Sequence, residues 1–119
     1  MMENQNPRTD KSHGANLFVL IEQYFPNDGK QDAILDIAKQ SAKDIEGVLG
    51  LIMTNVLQPR TQTGPVCNIS TWESEAAFKA FMKSDAVKDL YASEMMANVK
   101  AWTSNIEVQM FTLEDGWHQ

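Results

Sequence analysis

Val66 to Phe78 reads V-C-N-I-S-T-W-E-S-E-A-A-F, a strand running straight into a helix. Over Val66–Trp72 the residues alternate, so Asn68, Ser70 and Trp72 share one face while Cys67, Ile69 and Thr71 share the other. Ser74 is a favoured residue for capping a helix that begins at Glu75. Just upstream, Gln58 to Pro65 gathers Pro59, Gly64 and Pro65 among Thr and Gln, the composition of a loop or hairpin tip. Before it, Gly50 to Leu57 (GLIMTNVL) reads as a strand. A link this short joins antiparallel neighbours.

Further out, Asn16 to Phe25 (NLFVLIEQYF) is a strand stopped by Pro26 and the turn residues Asn27, Asp28 and Gly29. Lys30 to Glu46 carries Ile34, Ile37, Ala38, Ser41 and Ile45 at three- and four-residue steps and predicts a helix. Asp28 with Gln31 resembles a capping box, and Gly47 a C-terminal stop. Residues 75–102 show helical spacing twice, first as Ala77, Phe78, Phe81 and Met82, then as Val87, Leu90, Tyr91, Met95 and Val99. Ser84 and Asp85 re-cap the chain between the two runs. Asn105 to Leu113 (NIEVQMFTL) is the last strand.

The order β-α-β-β-α-β predicts an α+β, ferredoxin-like split β-α-β domain over residues 16–113, an antiparallel sheet with helices on one face. Residues 1–15 read as a flexible polar arm and residues 114–119 as a short tail. The first strand is apolar on both faces: Leu17, Val19, Ile21 and Phe25 on one, Phe18, Leu20 and Tyr24 on the other. Helices cover only one face, so the other is expected to pack on a second copy as a homodimer.

Composition narrows the chemistry. The chain has 119 residues and a net charge of −6, with 10 Lys plus Arg against 16 Asp plus Glu, which disfavours nucleic acid and anionic membranes as partners. One cysteine, Cys67, rules out an intrachain disulfide, and the polar beginning of the sequence lacks a signal-peptide pattern, so a cytoplasmic location is expected. His13 and His118 lie near opposite ends, which leaves no metal-ligand spacing and no histidine inside the core to activate a nucleophile. Neither a GxGxxG nor a Walker sequence occurs.

Several residues are open to two readings. Trp72 and Asn68 either serve packing and hydrogen bonding or line a space beneath the helices. Tyr91, on an apolar helical stripe, needs a hydrogen-bond partner or a cavity. Glu22 interrupts an apolar strand on the face of Leu20 and Tyr24, where burial would raise its pKa and suit it as a base, unless it reaches solvent near the strand end. Glu107 and Gln109, with Phe111, are expected against Glu22 across the sheet. Met82, Met95 and Met96 read as adaptable core and Cys67 as an inert small hydrophobe.

The strand order, the run Thr71-Trp72-Glu73-Ser74-Glu75-Ala76-Ala77-Phe78 and the turn Glu46-Gly47-Val48-Leu49-Gly50 resemble the antibiotic biosynthesis monooxygenase family of dimeric α/β barrels. The resemblance spans about Asn16 to Leu113. It implies a homodimer that oxidises a small electron-rich hydroxylated aromatic, of quinol or anthrone type, with dioxygen and no bound cofactor or metal. By the same resemblance Asn68 and Trp72 are the catalytic pair, donating hydrogen bonds to substrate oxygens; Tyr91, Glu22, Ser70, Phe78 and Met95 are expected to bind substrate beside them. Phe78 stands where such enzymes carry a phenol. Two alternatives accompany this: a non-enzymatic dimeric binder of a small apolar or aromatic ligand, and a haem-binding or haem-degrading member in which Tyr91 takes the place of the axial histidine.

Overall fold

The computed structural model describes residues 16–116. The expected arm at residues 1–15 and the end of the tail lie outside that span. Four strands, β1 (Leu17–Pro26), β2 (Leu51–Leu57), β3 (Val66–Trp72) and β4 (Thr103–Leu113), alternate with helices α1 (Gln31–Asp44), α2 (Glu75–Met82), α3 (Asp85–Tyr91) and α4 (Glu94–Trp102). The sheet order is β2-β3-β1-β4, every pair antiparallel. This is the ferredoxin-like arrangement that the element order predicts.

Residues 75–102 hold three helices rather than two, because the same device is used three times. Ser74, Ser84 and Ser93 each accept a hydrogen bond from a backbone N–H three residues on, and each is followed by an acidic residue that suits the positive end of the helix dipole. The capping box expected at α1 does not form. Lys30 is the N-cap residue and no side chain caps it. The Gln31 amide instead reaches the β2–β3 loop, donating to the carbonyls of Thr61 at 2.9 Å and Gly64 at 3.1 Å. Local pattern yields here to a contact made possible only by the tertiary fold.

The turn between α1 and β2 depends on two glycines. Gly47 and Gly50 have φ of +83° and +85°, the left-handed region that penalises a side chain. At Gly50 a Cβ would also stand 2.5 Å from the Cβ of Ala77, so that glycine lets α2 lie directly against the turn.

Two apolar clusters sit between sheet and helices. Phe18, Leu20, Trp72 and Phe78 form one, with Phe81 and Met82 packed against it. Ile34, Leu35, Ala38 and Val66 form the other, with Tyr24, Val56 and Trp102. Register explains the division. Phe18 faces Trp72 and Leu20 faces Ser70 at one end of the β1–β3 pair, Tyr24 faces Val66 at the other, and Glu22 faces Asn68 in the middle. A polar pair thus separates the two clusters.

The opposite sheet face carries no helix. It presents Val19, Ile21, Ile69, Met53, Leu57 and Phe111, the last three exposed. Glu107, Gln109 and Phe111 lie on this bare face, because β4 pairs with β1 so that Val108 stands opposite Glu22 and Glu107 opposite Gln23. The expected contact of Glu107 and Gln109 with Glu22 is therefore absent: pairing register, not alternation alone, decides which half of β4 turns inward.

Candidate active site

The gap between the two clusters is a cavity of about 270 Å³ under the helical layer. From the sheet it is lined by Leu20, Glu22 and Tyr24 of β1 and by Asn68, Ser70 and Trp72 of β3. Phe78, Phe81 and Met82 of α2, Leu90 and Tyr91 of α3, and Met96 and Lys100 of α4 form the roof. Ile106 and Val108 of β4, both exposed, mark the side where the cavity meets the surface.

Six of the seven residues singled out in the sequence therefore share one space: Glu22, Asn68, Ser70, Trp72, Phe78 and Tyr91. Met95 is the exception, and Met96 lines the cavity in its place. The reason is the Ser93 cap. A helix continuous from Ser84 would carry Met95 on the stripe of Val87 and Tyr91, but a new helix starting at Glu94 resets the phase. Tyr24, Phe81 and Lys100 also belong to the lining, and strand alternation alone places Tyr24 beside Glu22 as the next residue on its face.

Trp72 is 1% exposed and its ring packs edge-on to Phe78 and against Phe81, at centroid distances of 5.6 and 5.3 Å. Its indole N–H donates to Ser70 Oγ at 3.0 Å. The Ser70 hydroxyl proton remains to be given to another group, so the donor presented beyond this pair is Ser70 rather than Trp72. Asn68 is 8% exposed, and its Oδ1 accepts no hydrogen bond from any described residue. A buried acceptor left without a donor is costly in a folded protein.

The electrostatics follow from the apolar walls. Burial raises the Glu22 carboxyl above its ordinary range, with the Tyr24 phenol beside it working in the opposite direction. Burial, and then the charge of Glu22, push the Tyr24 phenol far up. Tyr91, about half exposed at the rim, is raised by the same two causes. Both phenols hold their protons at neutral pH. No group of His, Cys, Asp and Glu among the described residues is placed to hold a metal ion.

Residues 17–93 match the family model described as antibiotic biosynthesis monooxygenase. The chain belongs to that family. Solved structures with the same fold include SnoaB, a cofactor-independent oxygenase from Streptomyces nogalater, at 14% identity and TM-score 0.69 over 88% of this chain and 100% of that one. A protein from Shewanella oneidensis superposes at TM-score 0.67 with 17% identity, covering 82% and 91% of the two chains. One from Mycobacterium tuberculosis does so at 0.68 with 12% identity, covering 84% and 97%. No curated protein is a match in sequence. Among the described residues of this antibiotic biosynthesis monooxygenase family member, no helix is long and apolar enough to cross a membrane.

Proposed function

We propose that the protein is a homodimeric monooxygenase that oxidises a small electron-rich hydroxylated aromatic, of quinol or anthrone type, with dioxygen and without a bound cofactor. The observation that carries this is one cavity in which a half-buried carboxyl, the Asn68 amide and a serine hydroxyl are surrounded by Trp72, Phe78, Phe81 and Leu20. Apolar walls hold a flat ring and exclude water, while the few polar groups fix its oxygens.

An ionised phenol or enol is itself a reductant for dioxygen, so the protein's task is to bind the ring, favour the ionised form and keep water out. For an anthrone the balance is Ar₂CH₂ + O₂ → Ar₂C=O + H₂O: the methylene carbon loses two hydrogens and gains one oxygen atom, and the other oxygen leaves as water. Asn68 and Ser70 orient the ring oxygens, and Trp72 supports Ser70 from below. The bare apolar sheet face is the surface on which a second copy would pack. The net charge of −6 favours neither nucleic acid nor an anionic membrane as a partner.

Oxygen consumption with a panel of hydroquinones and anthrones tests the site. Asn68→Ala is expected to lose on the order of a hundredfold in kcat, as for other removed charge-stabilising groups. Trp72→Phe, which breaks the bond to Ser70, should lose on the order of tenfold through misplacement. Equal rates in wild type and both variants overturn the assignment. The internal use of the Trp72 N–H favours a second reading, a dimeric binder that holds such a ring without turning it over. Ligand recovered unchanged after incubation with the protein in air supports that second reading.

A further inference from the structure

We propose that Lys100 makes the mouth of the cavity an anion-holding site, so that the ring bound there carries a negatively charged oxygen, a carboxylate or an ionised ring hydroxyl, at its outer end. This rests on the cavity's being an aromatic-binding site and goes beyond it by naming the ligand's charge and the end by which it is held.

Four of the residues that line the cavity are exposed: Tyr91, Lys100, Ile106 and Val108. They mark where it opens, and they divide by element. The roof helices α3 and α4 contribute a phenol and an ammonium group, and β4 contributes two aliphatic side chains. On α4 the residues that reach the lining are Met96 and Lys100, four apart and therefore on one side of the helix. Met96 is half-buried and Lys100 exposed, so this stripe runs from the interior out to the mouth. A lysine in such a place lays its apolar stem along the wall and keeps its charge at the boundary with water.

Among the described residues Lys100 is the one cationic side chain in the lining. Its charge is not taken up by the acids around it. Glu22, the carboxyl of the lining, is moved by burial and by the Tyr24 phenol, and Lys100 is not among the groups that act on it. Glu107, the acid on the adjoining stretch of β4, turns to the bare sheet face and accepts a hydrogen bond from the Asn105 amide at 3.2 Å. Tyr91 keeps its proton at neutral pH and can donate to the same anion. The charge of Glu22 also acts on Tyr91, so an anion is least opposed on the Lys100 side of that phenol. An oxygen anion there receives charge-assisted hydrogen bonds that a neutral substituent cannot match. The chain as a whole, at a net charge of −6, repels anions at long range. A preference for an anionic ring over its neutral counterpart therefore reports a local cation and not the overall field.

Equilibrium dialysis at neutral pH and low salt, in the absence of oxygen, tests this with 2-naphthoate, 2-naphthol and the neutral 2-methylnaphthalene. The absorbance of bound 2-naphthol, followed against pH, gives the midpoint of its ionisation. Wild type is expected to bind 2-naphthoate on the order of fivefold more tightly than 2-methylnaphthalene, to lower the 2-naphthol midpoint, or both; the ratio is modest because both charges touch water. Lys100→Met should abolish whichever effect is seen, and Lys100→Arg should retain it. Lys39→Met, which removes the same charge from α1 outside the lining, should leave it unchanged.

A naphthoate preference alone identifies the anionic oxygen as a carboxylate, and a lowered 2-naphthol midpoint identifies it as a ring oxygen. Neither effect in wild type, an effect that persists in folded Lys100→Met, or one lost equally in Lys39→Met overturns the proposal. If all three rings bind equally with the midpoint unmoved, the anion-holding mouth falls and the aromatic site stands. If none binds, the aromatic site falls together with it.

Discussion

Strands β3 and β4 both flank or neighbour β1 in one sheet, but they stand in opposite relations to water. In β3, residues alternate between buried and half-buried, and Trp72 and Val66 are enclosed. In β4, all residues from Ser104 to Thr112 are exposed, including Ile106, Val108, Met110 and Phe111. The difference comes from neighbours, not from composition. β3 lies between β1 and β2 and beneath α2, whereas β4 is an edge strand with hydrogen-bonding partners on one side only. The chain covers β3 by itself and leaves β4 uncovered.

The largest expected consequence is in stability. Trp72→Ala should cost about 3–5 kcal/mol because it opens the cluster of Phe18, Leu20 and Phe78. Met110→Ala on β4 should stay within about 0.5 kcal/mol. Urea denaturation of the two variants measures both, and similar losses would erase the contrast. Next comes association: Phe111→Asp, on the bare face opposite Val19, should weaken a homodimer by about 2 kcal/mol while leaving the protomer folded. Sedimentation equilibrium reads this directly; an unchanged dimer puts the interface elsewhere, and a wild-type monomer at micromolar concentration removes the dimer.

The smallest effect sits at the boundary between the two strands, on β1. A carboxyl whose native pKa is raised binds its proton more tightly in the folded state. Glu22 therefore contributes stability that is fully present below its unfolded pKa, near 4.5, and is lost as pH rises through the native value. Glu22→Gln should remove that slope, which cannot exceed about 1.4 kcal/mol per pH unit. The two stability curves should diverge as pH rises above about 4.5, with wild type falling relative to the variant. Parallel curves would mean that Glu22 is solvated in the folded protein.

How much of this is legible in the sequence depends on whether the deciding interactions are local. Val66–Trp72 is a strand with the expected bounds because its alternation, the preceding Gly-Pro loop and the Ser74 cap are all local signals. The convergence of Asn68, Ser70 and Trp72 with Glu22 under the helices follows from the same alternation once the strand order is known. The third helix was present as a signal too, since Ser93-Glu94 repeats the serine–acid pair of Ser74-Glu75 and Ser84-Asp85. A helix unbroken at Ser93 places Met95 on the inward stripe; the new start at Glu94 places Met96 there instead. By contrast, the loop carbonyls that engage Gln31 and the register that turns Val108 rather than Glu107 toward Glu22 are long-range facts. No local pattern encodes them.

The helices over the cavity are short segments, each closed by its own serine, whereas Glu22, Asn68, Ser70 and Trp72 all stand on the sheet. The carboxyl, amide and serine hydroxyl of the cavity are thus carried by the sheet, and most of the apolar roof by the short helices. A lineage can enlarge, narrow or tilt one roof segment through substitutions at Phe81, Leu90 or Met96 without disturbing the strand ladder below. Diversification of ligand shape in this architecture is modular, and it leaves the floor that would perform the chemistry intact.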